Sequence, residues 1–271
     1  MTRLAHKLTN DILFKMLFTQ YQDLLKKLVA ELLGIQYKDI TEFKVTSPEL
    51  TPEFVGEKFC KIDINMVVNG QKVNLEVQVN DEGNFPERSL FYWARMFSSA
   101  LEEGGKYAAL PRTITINIID FFLFDCDEFH SEFEILEVKR RERLTDKFVK
   151  HFFELKKLPP LEEIDNGRDL WLKLFKAETE EELAKIASLE VDVLSEAVAA
   201  YRQVSTSPEF KEYERIRTKA RHDEAQALHN RDLHWQGIVA DKDAAIANKD
   251  AAIADRDARI ADLEAQLKKR Q

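Results

Sequence analysis

Two acidic residues, Asp63 and Glu76, flank Asn69-Gly70 in a stretch (residues 58–80) where apolar and polar side chains alternate. Asn-Gly tolerates the positive φ that a two-residue type I′ hairpin turn demands. With that pair as the loop, Val68 faces Gln71, Asn65 faces Asn74, Asp63 faces Glu76 and Lys61 faces Gln78. The period of two sends Ile62, Ile64, Met66, Val73, Leu75 and Val77 to the opposite face. Directly opposed carboxylates, with Cβ atoms about 5 Å apart, repel one another. A divalent cation between them removes that cost, and hard cations such as Mg²⁺ take carboxylate oxygens while keeping waters for chemistry. The plainer reading is a solvated polar face, which on an antiparallel strand pair needs no function.

Asp63, a short turn and then Glu76-Val77-Gln78 resemble the Asp…(Asp/Glu)-x-Lys signature of the PD-(D/E)xK nucleases. More narrowly, the sequence resembles the Rpn family of recombination-promoting nucleases and transposase-like proteins. Matching segments are Thr9–Lys15, Phe85–Arg95, Gly105-Lys106-Tyr107 and Thr113–Ile119, and the resemblance covers roughly residues 8–220. It implies a Mg²⁺-dependent (or Mn²⁺-dependent) endonuclease acting on DNA, with Asp63, Glu76 and the Val77 carbonyl holding the metal. Such a metal polarises the scissile phosphate and lowers the pKa of an attacking water. One residue departs from the pattern: Gln78 stands where the superfamily has lysine. An amide carries no charge and is no general base near neutral pH, though it can orient a water or a phosphoryl oxygen. Lys61, opposite Gln78, would supply the missing charge.

These residues need a sheet and covering helices to hold them. Residues 9–33 carry helical periodicity behind a Thr9/Asn10 cap signal, with a break near Gln20-Tyr21 and a stop at Gly34. Asp11 or Glu31 on this helix would be the extra acid that the superfamily fold can place near the metal. Residues 40–47 read as a short strand before the hairpin. Asn84 and Pro86 open a helix running to Glu103, on which Arg88, Tyr92 and Arg95 share one face. A guanidinium binds phosphate oxygens bidentately, so that face is the candidate DNA contact. The rival reading is an arginine–carboxylate pair that packs the helix on the sheet. Residues 113–124, dense in Ile and Phe, read as a strand buried on both faces, and 129–139 as a further strand. Mainly helices are expected from 144 onward, interrupted at Pro159-Pro160 and Ser207-Pro208.

The sum is an α/β, restriction-endonuclease-like mixed sheet flanked by helices, with a helical C-terminal region and a terminal coiled-coil helix. The expected division is a nuclease core over 1–143, a helical region over 144–235 and a heptad-repeat tail over 236–271. In the tail, Val239, Ile246, Ile253, Ile260 and Leu267 recur every seven residues, while the partner seam position is Lys242, Lys249, Arg256 and then Leu263. Half an apolar seam makes a weak coiled coil. The expectation is a homo-oligomer through this helix, set against a single projecting helix.

Composition bounds these readings. With 40 basic and 49 acidic residues the net charge is −9, which counts against DNA binding driven by overall charge. The basic residues are clustered, however, in Lys139–Lys157 and in Lys211–Arg221. Either cluster suits a phosphate backbone or a solvated helix face. Two distant cysteines, no long apolar run and no signal-like N-terminus give the expectation of a reduced, cytoplasmic, non-membrane protein. No Gly-rich phosphate loop and no GxSxG elbow occurs, which sets aside nucleotide-driven and serine-hydrolase chemistry. Three function classes remain: a metal-dependent DNA endonuclease linked to recombination or transposition, a catalytically weak nuclease-fold DNA-binding or assembly protein working through its coiled coil, or a phosphodiesterase that turns the same metal chemistry on RNA or small nucleotides.

Overall fold

The structure, a computed structural model, describes residues 2–47, 64–101, 104–189 and 191–270. The hairpin is therefore described from Ile64 onward, and the expected Asp63–Glu76 and Lys61–Gln78 oppositions lie outside the described residues. The chain forms two compact units, Met1–Ile216 and Arg217–Gln271.

The first unit opens with α1 (Asp11–Gln20) and α2 (Gln22–Leu33). The Asn10 side chain accepts from the Leu13 amide at 3.0 Å and starts α1. Gly34, at φ 65°, ends α2 in the left-handed conformation that costs glycine nothing. Strand β1 is shorter than expected, Phe43–Val45. It pairs with β2 (Ile64–Val68), which pairs in turn with β3 (Gln71–Gln78), both antiparallel. The hairpin register holds over its described part: Val68 faces Gln71 and Asn65 faces Asn74. Asn69 (φ 48°) and Gly70 (φ 74°) form the turn. The Asn69 side chain also accepts from the amides of Thr41 (2.9 Å) and Glu42 (3.1 Å), so the turn residue anchors the lead-in to β1.

Helix α3 covers Phe85–Ser98, ending before the expected Glu103. It is followed by β4 (Thr113–Ile119), β5 (His130–Phe133) and β6 (Phe148–Glu154). The sheet order is β1-β2-β3-β4-β6-β5, with parallel pairing at β3–β4 and β4–β6 and antiparallel pairing at β5–β6. Strand β6 corrects the expectation of helix after residue 144: a fully buried strand inserts between β4 and β5. The strand expected at 129–139 is restricted to 130–133, because the chain then turns out to exposed positions such as Val138. Helices α4 (Gly167–Lys176), α5 (Glu180–Ala187) and α6 (Asp192–Thr206) follow, and α7 (Pro208–Arg270) runs into the second unit.

One sheet face, carrying Ile64, Met66, Val73, Leu75, Ile116 and Phe153, packs with α1, α2, α4 and α6 into the main core. Phe18 lies at ring distances of 6.3 Å from Trp171 and 6.1 Å from Phe175 in that core. The opposite face carries a smaller cluster of Phe85, Ile119, Phe121 and Phe152. Helix α3 is held there by Trp93, whose indole donates to the Thr113 carbonyl at 2.8 Å and packs on Phe148. The fold is thus the expected mixed sheet between helical layers, with a long C-terminal helix. Among the described residues, no helix is long and apolar enough to cross a membrane.

In the second unit, α7 leaves Val239, Ile246, Ile253, Ile260, Leu263 and Leu267 each more than half exposed.

Candidate active site

The face of the sheet beneath α3 carries polar residues where a core would have hydrocarbon. Strand registers align Asn65, Asn74, Thr115 and Lys150 in one row across β2, β3, β4 and β6. Asn74 donates to the Asn65 side chain at 3.1 Å. The Lys150 ammonium, buried in the sheet, donates to the Ser89 hydroxyl of α3 at 2.8 Å. Thr115 is 3% exposed, and its hydroxyl has no hydrogen-bond partner among the described residues. Burying a hydroxyl without a partner costs free energy. The orphan therefore marks either a site for a ligand or water, or a tolerated defect.

The next row along the strands holds Glu76 on β3 opposite Asn117 on β4. The Glu76 side chain is 19% exposed, and the Arg88 guanidinium of α3 approaches it at 3.7 Å while bonding Glu82 at 2.8 Å. Arg88 also lies over the Phe85 ring, 5.1 Å from its centroid. Burial pushes the Lys150 ammonium down to about 8, an effect that the negative charge of Glu76 opposes. Gln78, two residues beyond Glu76, donates its side-chain amide to the Asn80 carbonyl at 2.8 Å. The Gln78 backbone carbonyl accepts from the Asp120 amide at 3.0 Å.

Tyr92 and Arg95 lie further along α3, and both line a cleft of about 820 Å³ between that helix and the β2–β3 strands. Asn65, Asn74, Lys72, Phe91 and Thr115 line it as well. Of the three residues expected to share a face of α3, Tyr92 and Arg95 thus meet in one cavity, while Arg88 meets Glu76 instead. Asp11 caps the Ile12 amide of its own helix, and the Glu31 carboxylate lies against the backbone of Gly167 at the start of α4.

The Glu76 carboxylate itself is a hard oxygen donor, while the charged groups described beside it, Arg88 and Lys150, are cationic. Among the described residues no group of three His, Cys, Asp or Glu side chains is placed to hold a metal ion. Asp63, the carboxylate expected to share a metal with Glu76, lies outside the described residues, as does Lys61.

Sequence reasoning missed Lys150. It lies within a basic stretch that reads as a phosphate contact or a solvated helix face, whereas the structure buries it in β6. Lys157 in the same stretch pairs with the buried Glu154 at 2.5 Å. The one signal that could have found Lys150 is the sequence Phe148-Val149-Lys150-His151-Phe152-Phe153, whose bulky apolar residues argue strand rather than helix.

The sheet order, the two helical layers and the acid-bearing third strand define an α/β fold of the nuclease type. The chain belongs to the PD-(D/E)XK nuclease family transposases, whose family model matches residues 8–231. No curated protein and no solved structure matches the chain.

Proposed function

We propose that this protein is a Mg²⁺-dependent endonuclease that hydrolyses phosphodiester bonds of DNA in recombination or transposition. The observation that carries the reading is Glu76, a half-buried carboxylate on the third strand of a nuclease-family sheet, set between the Arg88 guanidinium and the charge of Lys150. Asp63, Glu76 and the Val77 carbonyl hold the metal. A bound cation supplies Lewis-acid polarisation of the phosphate and a more acidic water. Gln78 orients water or a phosphoryl oxygen, Lys61 offsets developing charge, and Arg88 shifts from its carboxylate partners toward the phosphate. Tyr92 and Arg95 hold the strand alongside. The 236–271 tail brings copies together so that both strands of a duplex can be cut.

The test is cleavage of supercoiled plasmid with Mg²⁺ or Mn²⁺, beside Asp63→Ala and an EDTA control. Nicking or linearisation lost in both controls supports the reading. Full activity in Asp63→Ala overturns it.

One observation favours a second reading, a DNA-binding or assembly protein with little catalysis. The Gln78 amide is uncharged and already engaged with the Asn80 carbonyl. DNA binding that survives chelation, with no cutting under any metal, selects this reading.

A further inference from the structure

The cleft beneath α3 does more than extend a phosphate track. Its floor holds the Thr115 hydroxyl, buried and without a hydrogen-bond partner among the described residues, between Asn74 and Lys150 in the cross-strand row. Its wall carries Phe91, 61% exposed, edge-on to Tyr92 at a ring distance of 5.5 Å. A large aromatic ring left in water beside a cavity is a stacking platform, and bases stack on such rings whatever their identity. Lys72 and Arg95 add two positive charges to the cleft lining. The volume of about 820 Å³ falls within the range of about 300–1,000 Å³ typical of small-ligand sites.

Aromatic wall, cationic lining and a polar floor match one chemical class. We propose that this cleft receives a single unpaired deoxynucleotide, its base stacked on Phe91 and hydrogen-bonded at Thr115, with its phosphates held by Lys72 and Arg95. The proposal rests on the nuclease reading and refines it: the preferred substrate is DNA with an unstacked base near the scissile bond, not an intact duplex. A paired base cannot enter this cleft, because its edge and both faces are occupied within the helix. Extrusion costs a few kcal/mol in a paired duplex and least where the base is already unpaired.

The test measures binding without cleavage. Fluorescence anisotropy in Ca²⁺ compares two labelled duplexes of equal length, one fully paired and one with a central single-base bulge. The expected result is binding of the bulged duplex about fivefold tighter or more, the scale of one base–aromatic contact. The preference disappears in Phe91→Ala/Thr115→Val. Phe91→Ala alone, at an exposed position, reduces it and guards against misfolding of the double variant. Equal affinity of the wild type for both duplexes overturns the proposal, as does a preference that persists in the folded double variant. Plasmid cleavage decides the nuclease reading separately, so either can fail while the other stands.

Discussion

The Lys150 ammonium on β6 donates to the Ser89 hydroxyl on α3 at 2.8 Å, joining the central sheet to the helix that carries Arg88, Tyr92 and Arg95. Both residues are buried. This bond fixes the α3 turn nearest Glu76, so the position of the guanidinium beside the carboxylate depends on a residue more than sixty positions away.

That burial has a measurable pH signature. Lys150 has a folded-state value of about 8 against an ordinary 10.5, because its charge is desolvated. Between these values the unfolded chain holds more protons, so stability rises with pH across that window. Below pH 8 the destabilisation is fully present. In Lys150→Met this component vanishes. The difference in unfolding free energy between wild type and variant, from urea titrations at pH 7 and pH 10, should move in the wild type's favour by up to about 3 kcal/mol. An unchanged difference contradicts the assignment.

Glu76→Gln keeps the shape of the side chain and removes its charge. Metal-dependent plasmid cleavage should fall by about a hundredfold or more, the usual scale for losing an electrostatic group at a reacting centre. The melting temperature near pH 7 should also fall, because Glu76 supplies the negative charge that offsets the desolvation of the buried Lys150 ammonium. Retained cleavage would exclude Glu76 from the metal site.

His130 and His151 touch through their ring nitrogens at 3.1 Å. Burial pushes each down to about 4. Both are neutral near pH 7, and the unfolded chain takes up protons first as pH falls below about 6.5. Stability should therefore be lost between about pH 6.5 and pH 4. His130→Phe should shallow that loss, read from thermal melts over the same range. An equally steep loss in the variant would assign acid sensitivity to other groups.

Ile246 and Ile253 are each more than half exposed on α7. If the heptad seam pairs copies, Ile246→Asp/Ile253→Asp converts an oligomer to monomers in sedimentation velocity, with the helical circular dichroism of the tail reduced. A wild type that is already monomeric at micromolar concentration removes the oligomerisation reading.

Local rules made much of this fold legible. Asn69-Gly70 fixed the hairpin and its register over Ile64–Leu75, because the side-chain period of two and the turn geometry allow one alignment. Helix periodicity, Asn10 and Gly34 set α1 and α2, and the seven-residue repeat set the long terminal helix. The family motifs pointed to Glu76 and to the α3 face, because both lie within short, contiguous stretches of chain.

What the sequence by itself could not determine is who stands beside whom across the sheet. Strand β4 alternates Thr113, Thr115 and Asn117 with Ile114, Ile116 and Ile118, which separates its two faces but names no neighbour, and β6 is buried along its whole length with no such alternation. Their parallel pairing is fixed by how the intervening segments pack, not by a turn. Only that packing brings Thr115 and Lys150 into line with Asn65 and Asn74, and turns a lysine from a basic stretch into the buried tie beneath α3. Short-range chemistry chose the elements; long-range burial of the apolar strands chose their neighbours, and with them the polar floor of the cleft.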